Sequence, residues 1–413
     1  MDDHAAVAAA LDMALTDPIA LVSSERSAVL RCRTSAGSTV VVKCYPDNAA
    51  GAESFAAEAA GLGFTATAGF APRLLAIDPG TRAIVMEDLG TVPSLADLLL
   101  AGSAADAEAC LLGWARACGE LAVSSVGRQQ ELTAAVSAYR DAARTQRRPA
   151  HAPGSAHASS SGGMASASAR AAASTDVGDG GGAGNWLERR ILEIPGLLGA
   201  LAIQAPAGLA DDLADVASSL RTGRWQVFSP GDICPDNNLI TADGPRLIDF
   251  ESADFHSVFL DAAYLRMPFS SCWCVFGLPA RLAAAAEAVY RNLLCQVFPE
   301  LADDGIWQPG LRRAMAAWTL HAMIHLLDRS VVADASMNGV APAAPTARQL
   351  LRHRWQRLRS ELEPAAELPA ILALVHHLIT ATEHWHTPEL PFYPSFQQPA
   401  ANLDQVPLDA TAR

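Results

Sequence analysis

The chain has 413 residues, half of them hydrophobic and 18% charged, with a formal net charge of −14. That length accommodates two lobes of ordinary domain size, and the acidic balance argues against binding to nucleic acid or to an anionic membrane, while favouring a cationic small substrate if acidic groups line a cleft. No segment approaches an uninterrupted membrane span, the acidic start Met1-Asp-Asp-His does not read as an export signal, and the eight cysteines are therefore read as reduced thiols of a cytoplasmic protein.

In chain order, Ala5 to Leu15 predicts a short helix, followed by strands near 20 to 45, a helix near 52 to 65 and strands near 73 to 88. Val22-Ser-Ser-Glu-Arg-Ser-Ala-Val-Leu30 contains no glycine; Ser23, Ser24 and Ser27 offer hydroxyls and amides to an anion there, and Glu25 would repel one. Ser38-Thr-Val-Val-Val-Lys-Cys-Tyr45 is a β-branched strand with one cation, Lys43, near its end. A lysine on a buried strand needs an anion. The next helical stretch, Glu53 to Leu62, supplies Glu58 as the first choice and Glu53 as the alternative; a lysine stem reaching out to water is the competing reading. Ala83-Ile-Val-Met-Glu-Asp-Leu-Gly90 is an apolar strand breaking into an acidic, glycine-ended turn, as a hinge between lobes does, with Met86 and Asp88 in it.

Helices are expected from about 94 to 143 and from 186 to 220. Between them, from about Arg144 to Gly184, the composition turns to Ala, Ser, Gly and Pro. Such a segment cannot bury enough apolar surface to offset its ordering entropy, so a disordered insertion is expected, with Arg144, Arg147 and Arg148 as a solvated basic tether. Helical spacing returns at Arg281 to Val297, Gly310 to Leu327, Thr346 to Leu362 and Leu368 to His384, and the proline-rich tail from Thr387 is expected to be extended. His321 and His325, one turn apart, are candidates for lining a cleft or for a zinc pair, with satisfied core histidines as the plainer reading.

The densest chemistry lies between these helical stretches. After the apolar Trp225-Gln-Val-Phe228, the segment Ser229-Pro-Gly-Asp-Ile-Cys-Pro-Asp-Asn-Asn238 places four residues between Asp232 and Asn237, and Arg246-Leu-Ile-Asp-Phe-Glu251 ends an apolar run on a second carboxylate, Asp249. Each piece alone is an ordinary turn or strand end. In this order they supply a proton acceptor, an amide oxygen and a carboxylate oxygen, which is what phosphoryl transfer asks of a protein. Asn238 is the alternative if the register differs by one. Cys272-Trp-Cys274, with Cys234 and His256 near in sequence, lacks the spacing of a zinc knuckle and is read as buried cysteines packed beside the loop.

These motifs resemble the aminoglycoside phosphotransferase and choline kinase-like family of small-molecule kinases, whose pattern is His-Gly-Asp-x-x-x-x-Asn followed by Ile-Asp-Phe/Trp-Glu/Gly. The resemblance covers roughly Leu21 to Leu121 and Trp186 to Arg329 and is carried by Gly231, Asp232, Asn237, Asp249, Phe250, Glu251 and Asp261. It implies an α+β, bilobal protein-kinase-like fold: residues 1–90 as a β-rich nucleotide-binding lobe with its hinge, and 91–413 as a mainly helical catalytic and substrate lobe with the insertion at 144–184 and the tail from 387. It further implies ATP- and magnesium-dependent transfer to a hydroxyl of a small molecule. Asp232 is then the base, Asn237 and Asp249 the metal ligands, and Lys43, Glu58, Met86 and Asp88 the nucleotide-binding residues, with Asp261 bracing the loop. Two features depart from the family. Pro230 stands where the family has histidine, so support for the loop backbone has to come from elsewhere, and the segment Val22 to Leu30, where a glycine-rich cradle belongs, has no glycine. The alternative reading is a kinase-fold protein that binds a nucleotide or metabolite without transferring phosphate.

Overall fold

A computed structural model of the chain describes residues 7–9, 13–66, 68–146, 183–200, 203–221, 224–267, 269, 272, 274–337 and 344–397. The expected disordered insertion lies outside these residues apart from its ends, which belong to helices. Residues 7–9 are helical, but a strand begins at Leu15, so the first helix is shorter than the alanine run suggests.

The N-terminal lobe is a five-stranded antiparallel sheet of order β1-β2-β3-β5-β4, made of β1 (Leu15–Ser23), β2 (Ala28–Thr34), β3 (Thr39–Cys44), β4 (Leu74–Asp78) and β5 (Ala83–Glu87). Successive side chains of a strand point to opposite faces, and this sheet uses both. Val40, Val42 and Cys44 of β3 join Leu30, Cys32, Ala83 and Val85 in a small core on one face, closed by Val7. Val41 packs toward the larger core on the other face, with Tyr45, Ile84 and Met86. Lys43 shares the period of Val41 and Tyr45, and so faces the interior of the molecule.

Between β3 and β4 runs helix α1 (Ala49–Thr65), started by the Asn48 side chain accepting the Gly51 N–H at 2.7 Å. Its Phe55, Ala59 and Leu62 are buried in the larger core. Gly61 is the point of closest approach to the second lobe: a Cβ there would lie 2.8 Å from the Phe250 Cβ.

The C-terminal lobe is mainly helical. α2 (Leu95–Ala101), α3 (Ala104–Ser125) and α4 (Gln129–Thr145) precede the undescribed stretch, and α5 (Ala183–Ile191), α6 (Ile194–Ala200) and α7 (Leu209–Arg221) follow it. Two short antiparallel ladders come next: β6 (Gln226–Ser229) with β9 (Asp254–Ser257), and β7 (Asn238–Thr241) with β8 (Gly244–Leu247). The remaining helices are α8 (Val258–Arg266), α9 (Ala280–Leu294), α10 (Asp304–Val332), α11 (Ala347–Leu362) and α12 (Pro369–Ala381). α10 starts before the expected Gly310 because Asp303 caps it, accepting the Gly305 N–H at 2.8 Å, and the helix carries Pro309 inside. Among the described residues no helix is long and apolar enough to cross a membrane. The proline-rich tail is docked: Phe392 bridges to Gly277, and Tyr393, fully buried, donates its hydroxyl to the Cys274 carbonyl at 2.7 Å.

An aromatic column joins the lobes. Phe64 at the end of α1 stacks on Phe228 of β6 at 4.7 Å between ring centroids, and Phe228 stacks on Phe250 at 6.1 Å. The residue after Asp249 is therefore fixed between α1 and β6.

Candidate active site

Lys43 is the centre of the site. Its ammonium lies 3.0 Å from Glu58 Oε2 and 2.6 Å from Asp249 Oδ1, a contact across 206 sequence positions. Lys43 and Glu58 are 6% and 1% exposed. Burial disfavours the ammonium, yet Asp249 and Glu58 outweigh it and hold Lys43 well above the usual lysine range, so it stays charged. Tyr45 donates its hydroxyl to the same Glu58 oxygen at 3.1 Å. Glu53 is not the partner. Five positions along a helix turn a side chain by about 140°, and Glu53 faces α4 instead, paired with Arg140 and Arg144 at 2.5 and 2.8 Å.

Asp249 adopts φ +69, a left-handed backbone that an L residue seldom takes. Phe250 locked in the aromatic column and the Lys43 contact hold it there. Residues kept in such conformations by their surroundings concentrate at functional sites. Glu251, two positions on, pairs with Arg26 of the β1–β2 loop at 3.0 Å. Burial, and then the neighbouring Asp249 charge, push the Glu251 carboxyl up to about 7 against the pull of Lys43 and Arg26. The loop itself is closed by Ser24, whose hydroxyl accepts the Arg26 and Ser27 N–H groups at 3.2 and 3.1 Å.

The Asp232 loop is tied to the Asp249 segment through the backbone: the Ile248 N–H donates to the Asn237 carbonyl at 2.9 Å. Asn237 turns its side-chain N–H toward the Asp232 carbonyl at 3.1 Å, which leaves the amide oxygen as its other arm. Asn238 has the opposite fate. It is fully buried, and its N–H groups donate to the Cys234 and Ile233 carbonyls at 2.5 and 3.4 Å. The Asn238 side chain is thus turned into the loop, while the Asn237 backbone carbonyl meets the residue before Asp249. Asp232 accepts the Cys234 N–H at 3.3 Å.

Support for the loop comes from residues other than the one before Gly231. The Gly231 N–H donates to Ser229 Oγ at 3.2 Å, Ser229 donates to Asp261 at 3.1 Å, and the His256 ring meets the same Asp261 oxygen at 2.8 Å. Ser229 sits on β6, His256 on β9 and Asp261 on α8, so three elements converge under the loop. Gly231 itself has φ +86, and a Cβ there would fall 2.3 Å from the Ser252 carbonyl oxygen. Burial pulls the His256 imidazole down, but Asp261, with Asp254 beyond it, prevails and raises it above its ordinary value.

The hinge residues stand slightly apart. Met86 packs its side chain in the core opposite Val41. The Asp88 carboxylate is held by Arg31 at 2.7 Å and by the Gly90 N–H at 3.0 Å, contacts that fix the turn. The His321 and His325 rings lie 4.5 Å apart on α10, and among the described residues neither belongs to a group of three whose ligand atoms converge on one ion. Tyr45, Arg26, Arg31 and Ser229 were not singled out from the sequence. For Tyr45 a signal existed, because two positions after Lys43 on a strand is the same face.

The sheet with its strand lysine, the helix glutamate that meets it, and the loop and carboxylate presented by the second lobe define a protein-kinase-like fold. Solved structures similar to the chain include a choline/ethanolamine kinase family protein from Mesorhizobium loti, 15% identical, covering 87% of this chain and 92% of that one with a TM-score of 0.44. Choline kinase from Cryptosporidium parvum Iowa II is 11% identical over 87% and 93%, at 0.46. An aminoglycoside phosphotransferase from Alicyclobacillus acidocaldarius is 15% identical over 91% and 96%, at 0.43. No protein-family model and no curated protein sequence matches the chain.

Proposed function

We propose that the chain is an ATP- and magnesium-dependent phosphotransferase acting on a hydroxyl of a small molecule. The observation that carries this reading is Lys43 bridging Glu58 of α1 and Asp249 of the second lobe, at 3.0 and 2.6 Å. The donor set suits a hard cation: the Asp249 carboxylate and the Asn237 amide oxygen are oxygen ligands. Glu58, Asp249 and Glu251 crowd three carboxyl groups around Lys43 and Arg26, and burial with the Asp249 charge raises Glu251 to about 7; a divalent ion beside them would relieve that crowding. Magnesium held by Asn237 and Asp249 would neutralise charge on the nucleotide phosphates.

Lys43, kept charged and aimed by Glu58 and Tyr45, binds phosphate oxygens. Asp232, on a loop held by Ser229 and Asp261, takes the proton from the acceptor hydroxyl. Backbone groups near Met86 to Asp88 pair with the base of the nucleotide. With a net charge of −14, acidic groups lining the cleft would favour a cationic acceptor. If Asp232 acts as general base, Asp232→Ala lowers phosphotransfer by about 10²-fold or more; unchanged turnover of an authentic acceptor would overturn the assignment. MgATP at about 100 times its dissociation constant should stabilise the protein by roughly 2.7 kcal/mol, and Asp249→Ala should abolish that shift.

A second reading, binding without transfer, is favoured by one feature. In the glycine-free β1–β2 loop the Arg26 and Ser27 amides are already satisfied by Ser24. Any phosphorylated product that depends on Asp232 rejects it.

A further inference from the structure

Directly behind the Asp232 loop, three sulfurs and a carboxylate come together from two distant segments. Cys234, Asp236 and Cys272 offer ligand atoms that all lie within 4.8 Å of one another. Cys274 Sγ is 2.8 Å from Cys272 Sγ, and Cys272 Sγ is 3.8 Å from Asp236 Oδ1. The three cysteines are 3%, 2% and 0% exposed. We propose that Cys234, Asp236, Cys272 and Cys274 form a binding site for one thiophilic divalent cation, zinc by its chemistry.

The spacing fits. A zinc–thiolate bond of about 2.3 Å puts two sulfurs on a tetrahedral ion about 3.8 Å apart. Cys272 and Cys274 stand closer than that, at 2.8 Å, and the ligand atoms of Cys234, Asp236 and Cys272 fall within 4.8 Å of one another, so side-chain rotations that part the first pair and turn Cys274 toward the other three would close the site. Thiols so deeply buried hold their protons, because burial raises Cys234, Cys272 and Cys274 alike. A bound ion reverses this: zinc replaces three thiol protons, which leave to solvent, and Asp236 binds as the carboxylate. Two positive charges against three thiolates and a carboxylate leave an excess of negative charge, and the buried Arg354 lies where it can answer it. Burial pulls that guanidinium down to about 10, and Tyr264 and Cys234 are the groups that draw it back up. Magnesium is a poor competitor for this donor set, since it prefers oxygen. The ion would tie the Asp232–Asn237 loop to residues 272–274 and, through the Cys274 carbonyl, to Tyr393 of the docked tail.

The test uses the full chain, prepared with reductant and zinc and freed of loose metal by gel filtration. Metal analysis should find stoichiometric zinc. Exchange with cobalt(II) should give the near-ultraviolet thiolate charge-transfer band and the visible bands of a tetrahedral ion, neither of which a site of oxygen ligands produces. Cys272→Ser and Asp236→Asn should bind at least tenfold more weakly, while Cys110→Ser, outside the cluster, should bind unchanged. Should Cys272→Ser fail to fold, the charge-transfer intensity of the parent protein still counts the thiolates. Absence of stoichiometric metal and of the band in the parent protein overturns the proposal. So does metal retained unchanged by folded Cys272→Ser, or a Cys272–Cys274 disulfide found by peptide mass spectrometry in the reduced preparation.

Discussion

Lys43 is buried and meets two carboxylates, which makes it the most consequential single side chain of the N-terminal lobe. Lys43→Met leaves Glu58 buried with the Tyr45 hydroxyl but without a cation, and removing one member of a buried ion group costs about 3–5 kcal/mol. Urea unfolding should show that loss, and the double change Lys43→Met with Glu58→Leu should recover part of it, because a well-packed apolar pair replaces a stranded charge. Gly231 is constrained in another way. Its positive φ alone makes Gly231→Ala cost at least about 1 kcal/mol, and the Ser252 carbonyl at 2.3 Å from the added Cβ forces the loop to move. That variant should lose phosphotransfer more than it loses stability, which parallel kinetics and unfolding would check.

Among elements, the junction of β6, β9 and α8 predicts a pH dependence. His256 is raised in the folded protein by Asp261, so its contribution is fully present below its unfolded value of about 6.5 and fades as pH rises through the higher folded value. Stability measured by denaturant from pH 6 to pH 9 should fall for this reason, and His256→Asn should flatten the slope; an unchanged slope would refute the link. The contact of α1 with the Asp249 segment is equally specific. Gly61→Val drives a side chain into Phe250, and overpacking of this kind typically costs about 1–3 kcal/mol. Its sharper signature should be loss of nucleotide-induced stabilisation, since Phe250 fixes the conformation of the preceding Asp249. Local sequence patterns made much of this arrangement legible. The β-branched run of β3 showed the strand that carries Lys43, and turn chemistry with fixed spacing marked Asp232, Asn237 and Asp249. Helix phase, not composition, separates Glu58 from Glu53. What stayed hidden are pairs made by tertiary approach: Arg31 with Asp88 across 57 positions, or Ser229 with Asp261 across 32. No periodicity encodes such meetings, and the histidine under the loop arrives from a strand that carries no motif.

For the molecule as a whole, the C-terminal segment illustrates the same limit. Prolines in Thr387-Pro-Glu-Leu-Pro-Phe-Tyr-Pro read as an extended tail, and a 3-10 turn at Pro394–Phe396 interrupts it; nothing local announces that Tyr393 becomes fully buried against Phe269 and Phe276. Tyr393→Ala should therefore destabilise by about 3 kcal/mol or more, as for other large core deletions, whereas Phe392, 48% exposed, should tolerate alanine. Thermal unfolding of the two variants side by side decides it.

The 206 positions between Lys43 and Asp249 also bear on how the protein is made. At about 5–20 residues per second, the ribosome releases Asp249 some 10 to 40 s after Lys43. Through that interval the first sheet can form while its buried lysine lacks one of its two anions and α1 lacks the Phe250 it packs on. Completion of the cleft between Lys43 and Asp249 is thus a late event of synthesis, and in an unfinished chain the apolar face of α1 stays uncovered until Phe250 arrives.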